Sequence, residues 1–179
     1  LLAQVVKAHE SGHPEIVVLE SWKPWKQLVF LCESAFKERY GDTDFVSIKY
    51  IVFDGKGGWR TQAVPCSNES ANNNQLNPYQ QSLEVRKPFP ASWCGLIDGP
   101  LTVICGVEGA RFVQNAGFIA GNKTREGAIE MARVSLSSKE PLKRDSPGVR
   151  ASRIEKLQLA IDNITSQSHE SGTSSEVGG

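Results

Sequence analysis

The chain has 179 residues, with 20 Lys plus Arg against 20 Asp plus Glu, 39% hydrophobic residues and 4 Cys. That is about one domain's length, enough to bury a core without disulfides or metals; neutrality excludes bulk electrostatic coating of nucleic acid or anionic membrane but leaves room for a local basic patch. No apolar run approaches the ~20 residues of a membrane span. The chain opens at Leu1, and LLAQVVKAHESGHPE is too polar after Val6 for a signal-peptide core, so a fragment that is not secreted is expected.

Taken in order, His13-Pro14 breaks the first segment, and the apolar centre of Glu15 to Glu20 predicts a short strand. After Pro24, the residues Trp25, Leu28, Val29, Cys32 and Phe36 fall at helical spacing, and Gly41 closes the run. From Phe45 to Val64 the period changes to two: SIKYIVF, a DGKGG turn and WRTQAVP predict a β-hairpin. Residues 67–81, polar and asparagine-rich, read as a surface loop. In the proline-framed RKPFPASWCGLIDGPL that follows, Pro90 to Trp93 opens a short helix. A strand over Ala110 to Gln114, a glycine-bearing loop and a helix from about Thr124 to Leu136 come next, with Ala128, Met131, Ala132 and Ser135 or Leu136 facing inward. Beyond position 136 the composition turns basic and then disordered, with one amphipathic helix expected over 150–165 from Ile154, Leu157, Ile161 and Ile164.

The cysteines, Cys32, Cys66, Cys94 and Cys105, contain no pair at the two-to-four-residue spacing of a zinc knuckle, and buried free thiols are expected. The sequons at Asn68, Asn122 and Asn163 are read as coincidental. His9, His13 and His169 lie near the ends, away from any interior nucleophile, and Asp42, Asp44, Asp54 and Asp98 are scattered through turns without a histidine beside them. Neither a nucleophile pair nor a two-metal cluster is legible, so the chain alone does not read as a catalyst.

Chemistry concentrates in Gly117 to Thr124, between a predicted strand and a predicted helix, where backbone N–H groups and the helix dipole favour an anion. Gly117, Lys123 and Thr124 match the spacing of a Walker A loop, but Asn122 stands where the second glycine belongs; a left-handed Asn122 would keep the loop shape. No apolar strand ending in a magnesium-binding Asp follows, so nucleotide hydrolysis is not expected and a plain phosphate contact is. Between Arg111 and Lys156 ten basic residues face five acidic ones, an asymmetry that overall neutrality hides. Lys123, Arg125, Arg86 and Lys87 are the candidates for phosphate contact, against the alternative of ordinary solvated charges.

The strings VVLESWKPWKQLVF, IKYIVFDGKGGWRTQAVP, RKPFPASWCGL and GFIAGNKTREGAIEMA resemble, in order and spacing, the carboxy-terminal half of the Myg-type (melanocyte-proliferating-gene) exonucleases, relatives of the DHH phosphoesterases. The resemblance spans about Leu1 to Leu136 and implies a DHH-associated substrate-binding lobe. The expected fold is α+β, a small mixed or antiparallel sheet with flanking helices over residues 1–136, followed by a tail over 137–179. It further implies a manganese- or magnesium-dependent 3′-5′ RNA exonuclease of nucleus and mitochondrion. The metals would be held by an amino-terminal DHH half that this chain does not carry, so neither a cofactor nor a catalytic residue is expected here. RNA, bound weakly by the chain alone, and the DHH half are the implied partners, with no membrane among them.

Residue by residue, Gly117, Gly121, Asn122, Lys123, Thr124 and Arg125 match the family's loop-helix motif and would hold RNA phosphates. Trp59 and Arg60 match its W-R pair, with base stacking and core packing both open for Trp59. The chain departs from the family at Gln114, where F-V-H is usual, and at Ala120, where G-G-N-K is usual; Gln114 keeps a hydrogen bond but carries no charge. The alternative is a non-catalytic protein-interaction module from a divergent or truncated paralogue.

Overall fold

The computed structural model describes residues 1–41, 45–66, 85–140, 155–159 and 161–163. The polar loop expected over 67–81, Asp42, Asp44, and most of the tail including Ile154, Ile164 and His169 lie outside the described residues. Among the described residues ten elements mix helices and strands, and residues 155–159 and 161–163, within the expected tail helix, are helical as well, giving the expected α+β class. They are α1 (Leu2–Glu10), β1 (Ile16–Val18), α2 (Trp25–Tyr40), β2 (Tyr50–Gly55), β3 (Gly58–Ala63), a 3-10 turn (Ala91–Trp93), α3 (Asp98–Cys105), β4 (Ala110–Val113), β5 (Ile119–Asn122) and α4 (Arg125–Ser137).

The strands form one mixed sheet ordered β1-β2-β3-β5-β4, with β1 parallel to β2 and all other pairs antiparallel. Strand alternation sends the side chains to two faces. On one face Tyr50, Val52, Ala63, Ala110, Val113 and Ala120 pack with Ala128, Met131 and Ala132 of α4 and with Leu101 and Cys105 of α3. Two polar contacts tie α4 to this face: the Thr61 hydroxyl donates to the Ala128 carbonyl at 2.7 Å, and the Tyr50 and Ser135 hydroxyls meet at 2.7 Å. Burial pushes the Tyr50 phenol upward, so it stays protonated.

The opposite face is divided. Its β1–β2 half, Val17 and Ile51, supports a second core built with Val5 and Ala8 of α1 and Trp25, Val29 and Phe36 of α2. Its β3–β5–β4 half carries Arg60, Gln62, Ile119 and Phe112, all half-exposed.

α2 buries Trp25, Val29 and Phe36 as its spacing predicts, but Leu28 turns outward and Glu33 turns inward. The reversal has an electrostatic cause. Glu33 accepts two bonds from the Arg86 guanidinium, at 2.5 and 2.8 Å, and a third from the Ile48 N–H at 3.0 Å. Arg86 also donates to the Ile48 carbonyl at 2.9 Å and lies 5.0 Å from the Phe30 ring centroid.

Two helices were not anticipated. In α1, Leu2, Val5, Val6 and His9 repeat at helical intervals, and His9 stacks on Phe36 at 4.3 Å. In α3, Asp98-Gly99-Pro100 has the composition of a turn, yet a proline in the first helical turn gives up no intrahelical bond, and Gly106 closes the helix at φ 68. All four cysteines are free; Cys94 and Cys105 are buried as expected, Cys32 is half-buried and Cys66 is exposed. Burial pushes the thiols of Cys32 and Cys105 up, which disfavours the nucleophilic thiolate. No described helix is long and apolar enough to cross a membrane.

Removing one member of a buried, hydrogen-bonded ion pair strands the other charge. Arg86→Ala is therefore expected to lower unfolding free energy by about 3 kcal/mol, read as a fall in denaturant midpoint with an unchanged slope. A midpoint close to the parent's would show that the pair is not structural.

Candidate functional site

The segment expected to be a glycine-bearing loop is mostly strand. Ile119–Asn122 is β5, paired on both sides, and only Lys123 and Thr124 link it to α4. Alternating small residues explain the strand: Ala120 and Asn122 face the α4 core, while Gly121 gives room to its neighbours. A Cβ at Gly121 would stand 2.5 Å from the Phe112 ring and 3.1 Å from Arg60 Nη1. Asn122 is not left-handed; among described non-glycine residues only Asp98 has a positive φ. The Walker-like geometry therefore does not form.

Asn122 instead builds the corner. Fully buried, it accepts from the Thr124 N–H through Oδ1 at 2.9 Å and donates through Nδ2 to the Glu108 carbonyl at 2.9 Å. Gly127 fits against the same amide, where a Cβ would come within 2.3 Å of Oδ1. Thr124 caps α4, its hydroxyl accepting from the Gly127 N–H at 3.0 Å. The Lys123 N–H donates to the Gly109 carbonyl at 2.9 Å, which leaves its side chain exposed beyond the sheet. Arg125 follows, its guanidinium 5.9 Å from the centroid of Trp59, the residue paired with Asn122 across β3 and β5. Its ion pair with Glu126, at 3.8 Å between exposed side chains, holds it weakly.

Trp59, Lys123, Thr124 and Arg125 thus share one end of the sheet, with Gly121 and Asn122 beneath them and Arg60 on the opposite face. Arg60 packs 5.0 Å from the Phe112 centroid and donates to the carbonyls of Lys56 and Trp59. The remaining expected residues lie elsewhere. Gln114 and Gly117 form the turn at the far end of the β4–β5 hairpin, the Gly117 N–H donating to the Gln114 carbonyl at 2.8 Å. Gly117 needs its φ of +70, and a Cβ there would meet Cys94 Sγ at 3.1 Å, so its glycine is explained by packing. Arg86 is consumed by Glu33, and Lys87 donates to the Ser138 carbonyl at 2.8 Å. Glu108 and Gly127 were missed as parts of the corner: Glu108 lies 14 positions from Asn122, and Gly127 is not the acid or amide that a capping box has three residues after its threonine.

Among the described residues no three of His, Cys, Asp and Glu come together as a group that could hold a metal. The sequon asparagine Asn122 is buried and hydrogen-bonded, which is incompatible with glycosylation of the folded chain. Asn122→Gly, which restores the Walker spacing, is expected to cost about 2 kcal/mol by stranding the Thr124 N–H and Glu108 carbonyl. It should not raise thermal stability in the presence of ATP; a nucleotide-dependent rise in melting temperature would revive the loop reading.

The comparisons with known proteins agree with the resemblance. The profile of MYG1_exonuc, described as Uncharacterised protein family (UPF0160), matches residues 1–136. The chain is 36% identical to the MYG1 exonuclease of Mus musculus over 140 residues, covering 77% of this chain and 32% of that protein. It is 36% identical to the MYG1 exonuclease of Homo sapiens over 143 residues, 79% and 33% of the two chains. With the MYG1 protein of Dictyostelium discoideum the identity is 37% over 132 residues, 73% and 34%. The chain spans about a third of the length of these relatives. No solved structure matches it. From its strand-corner-helix segment to its W-R hairpin, the chain belongs to the MYG1 exonuclease family.

Proposed function

We propose that this chain is the RNA-binding lobe of a metal-dependent 3′-5′ RNA exonuclease whose catalytic DHH half lies in the two thirds of the relatives that it does not span. One observation carries the reading: Lys123 and Arg125 are exposed on either side of Thr124 at the corner that Asn122 holds, with Arg125 over the Trp59 ring. Cations beside an aromatic face, at the positive end of a helix, suit a phosphodiester backbone with a base laid on the ring. The relatives' printed name, exonuclease, supports the activity of the longer protein. Manganese or magnesium would belong to the other half.

An interaction module without nuclease function is the second reading. It is favoured by Ile97 and Val103, which stand 60% and 58% exposed at and beside α3. Its mark would be stable association with a protein partner and no RNA affinity at low salt.

Anisotropy of labelled single-stranded RNA separates the two. Lys123→Ala and Arg125→Ala should each weaken binding at low salt by about threefold and flatten the salt dependence by roughly 0.7 in log-log slope. Indifference to both substitutions would sink the site. The chain alone, given manganese, should leave the RNA intact, and cleavage would place catalysis within it.

A further inference from the structure

Two clefts flank α4, and Arg125, Ile129 and Arg133 line both. One, about 600 Å³ and open, runs along the α3–β4 connection, where Glu108, Glu126 and Glu130 outnumber the two arginines. The other, about 190 Å³ and more enclosed, lies between α1, the free edge of β1 and α4. Its walls bring Lys7 of α1 opposite Arg125 and Arg133, two turns apart on α4, with Glu20 the one carboxylate lining it and His13 at its border. Each of the three cations has a carboxylate near it, Lys7 with Glu20 at 3.8 Å, Arg125 with Glu126 at 3.8 Å and Arg133 with Glu130 at 3.5 Å, but all six side chains are 45% or more exposed, so the pairs are weak and a phosphate can compete for the cations. Ile16, Val18 and Ile129 give an apolar floor. Gln4 also lines the cleft, and its Oε1 is buried with no hydrogen-bond partner among the described residues. Buried acceptors are seldom left unsatisfied, so this one calls for an N–H donor.

A ligand suited to this cleft needs a small flat apolar body, an N–H donor and an anionic group. Inorganic phosphate supplies only the last. We propose that the cleft is a subsite for a single nucleotide: the base on Ile16, Val18 and Ile129, its amino or imino N–H toward Gln4, and the phosphate between Lys7, Arg125 and Arg133. This rests on the RNA reading above and deepens it, because Arg125 lines both the corner and the cleft. An RNA strand crossing Lys123 and Arg125 would place one nucleotide in the cleft.

Titration calorimetry on the full chain tests it, with cytidine monophosphate as probe and cytidine and inorganic phosphate as comparators. The mononucleotide should bind at least about tenfold more tightly than either comparator, since each lacks one of the two recognised parts. Lys7→Gln and Arg133→Gln, both exposed positions, should each weaken it by about three- to fivefold, while Lys26→Ala, exposed on α2 and outside the cleft, should leave it unchanged. Equal binding of inorganic phosphate, or affinity untouched by Lys7→Gln and Arg133→Gln, would overturn the subsite. RNA binding that depends on Lys123 without any mononucleotide binding would overturn the subsite and spare the RNA reading. Mononucleotide binding without RNA binding would support the subsite and overturn the RNA reading.

Discussion

The buried side chain of Asn122 governs the geometry at the end of the sheet. One amide spans the α3–β4 connection and the start of α4, satisfying the Glu108 carbonyl on one side and the Thr124 N–H on the other. Both bonds are part-buried and both start from a fully buried side chain, so losing the amide removes the two together and loosens the path of the chain at this corner. The position of every charged side chain at this corner follows. Lys123 is sent outward because its own backbone is held by Gly109, and Arg125 is the first residue of a helix whose direction Thr124 and Gly127 set. The chemistry of the corner belongs to exposed groups, but their placement belongs to a buried one.

A second constraint works on the other side of the sheet. The α1–α2 core and the α4 core share only the sheet between them, and the Glu33–Arg86 pair joins α2 to the backbone at Ile48, where the chain enters β2, and to the residues after Val85. A buried ion pair of this kind is a poor source of net stability compared with apolar packing, yet it tolerates only one arrangement of its partners. It therefore sets how α2 lies on the strands.

Much of this organisation was legible in the sequence. The β2–β3 hairpin declares itself through alternation and a glycine-rich turn, and α2 and α4 through their spacing and end signals. The inner face of α4, Ala128, Met131, Ala132 and Ser135, was read correctly because no charge interrupts it. Where reading failed, a residue's usual preference was overridden by a partner distant in sequence. Glu33 is acidic and buried because Arg86 lies 53 positions away; Ile119 to Asn122 looks like a loop because its glycine makes room for Phe112 and Arg60; Arg86 looks like a free cation because its partner is not local. Gln114 and Lys123, nine positions apart, fall at opposite ends of a hairpin, which a motif read as a line of text does not convey. The cleft beside β1 was illegible for the same reason, since its cations come from both ends of the matched region.

The packing of Arg60 over Phe112, across Gly121, has a colloidal consequence. A β-sheet face with an aromatic ring and a branched aliphatic on it is a surface onto which another sheet can stack. Here the guanidinium lies across that ring, and Gln62 stands beside Ile119, so any flat apolar surface approaching this half must first strip water from a cation. The missing Cβ of Gly121 lets arginine and phenylalanine meet, and with them the sheet gains a charged cover without spending a helix on it.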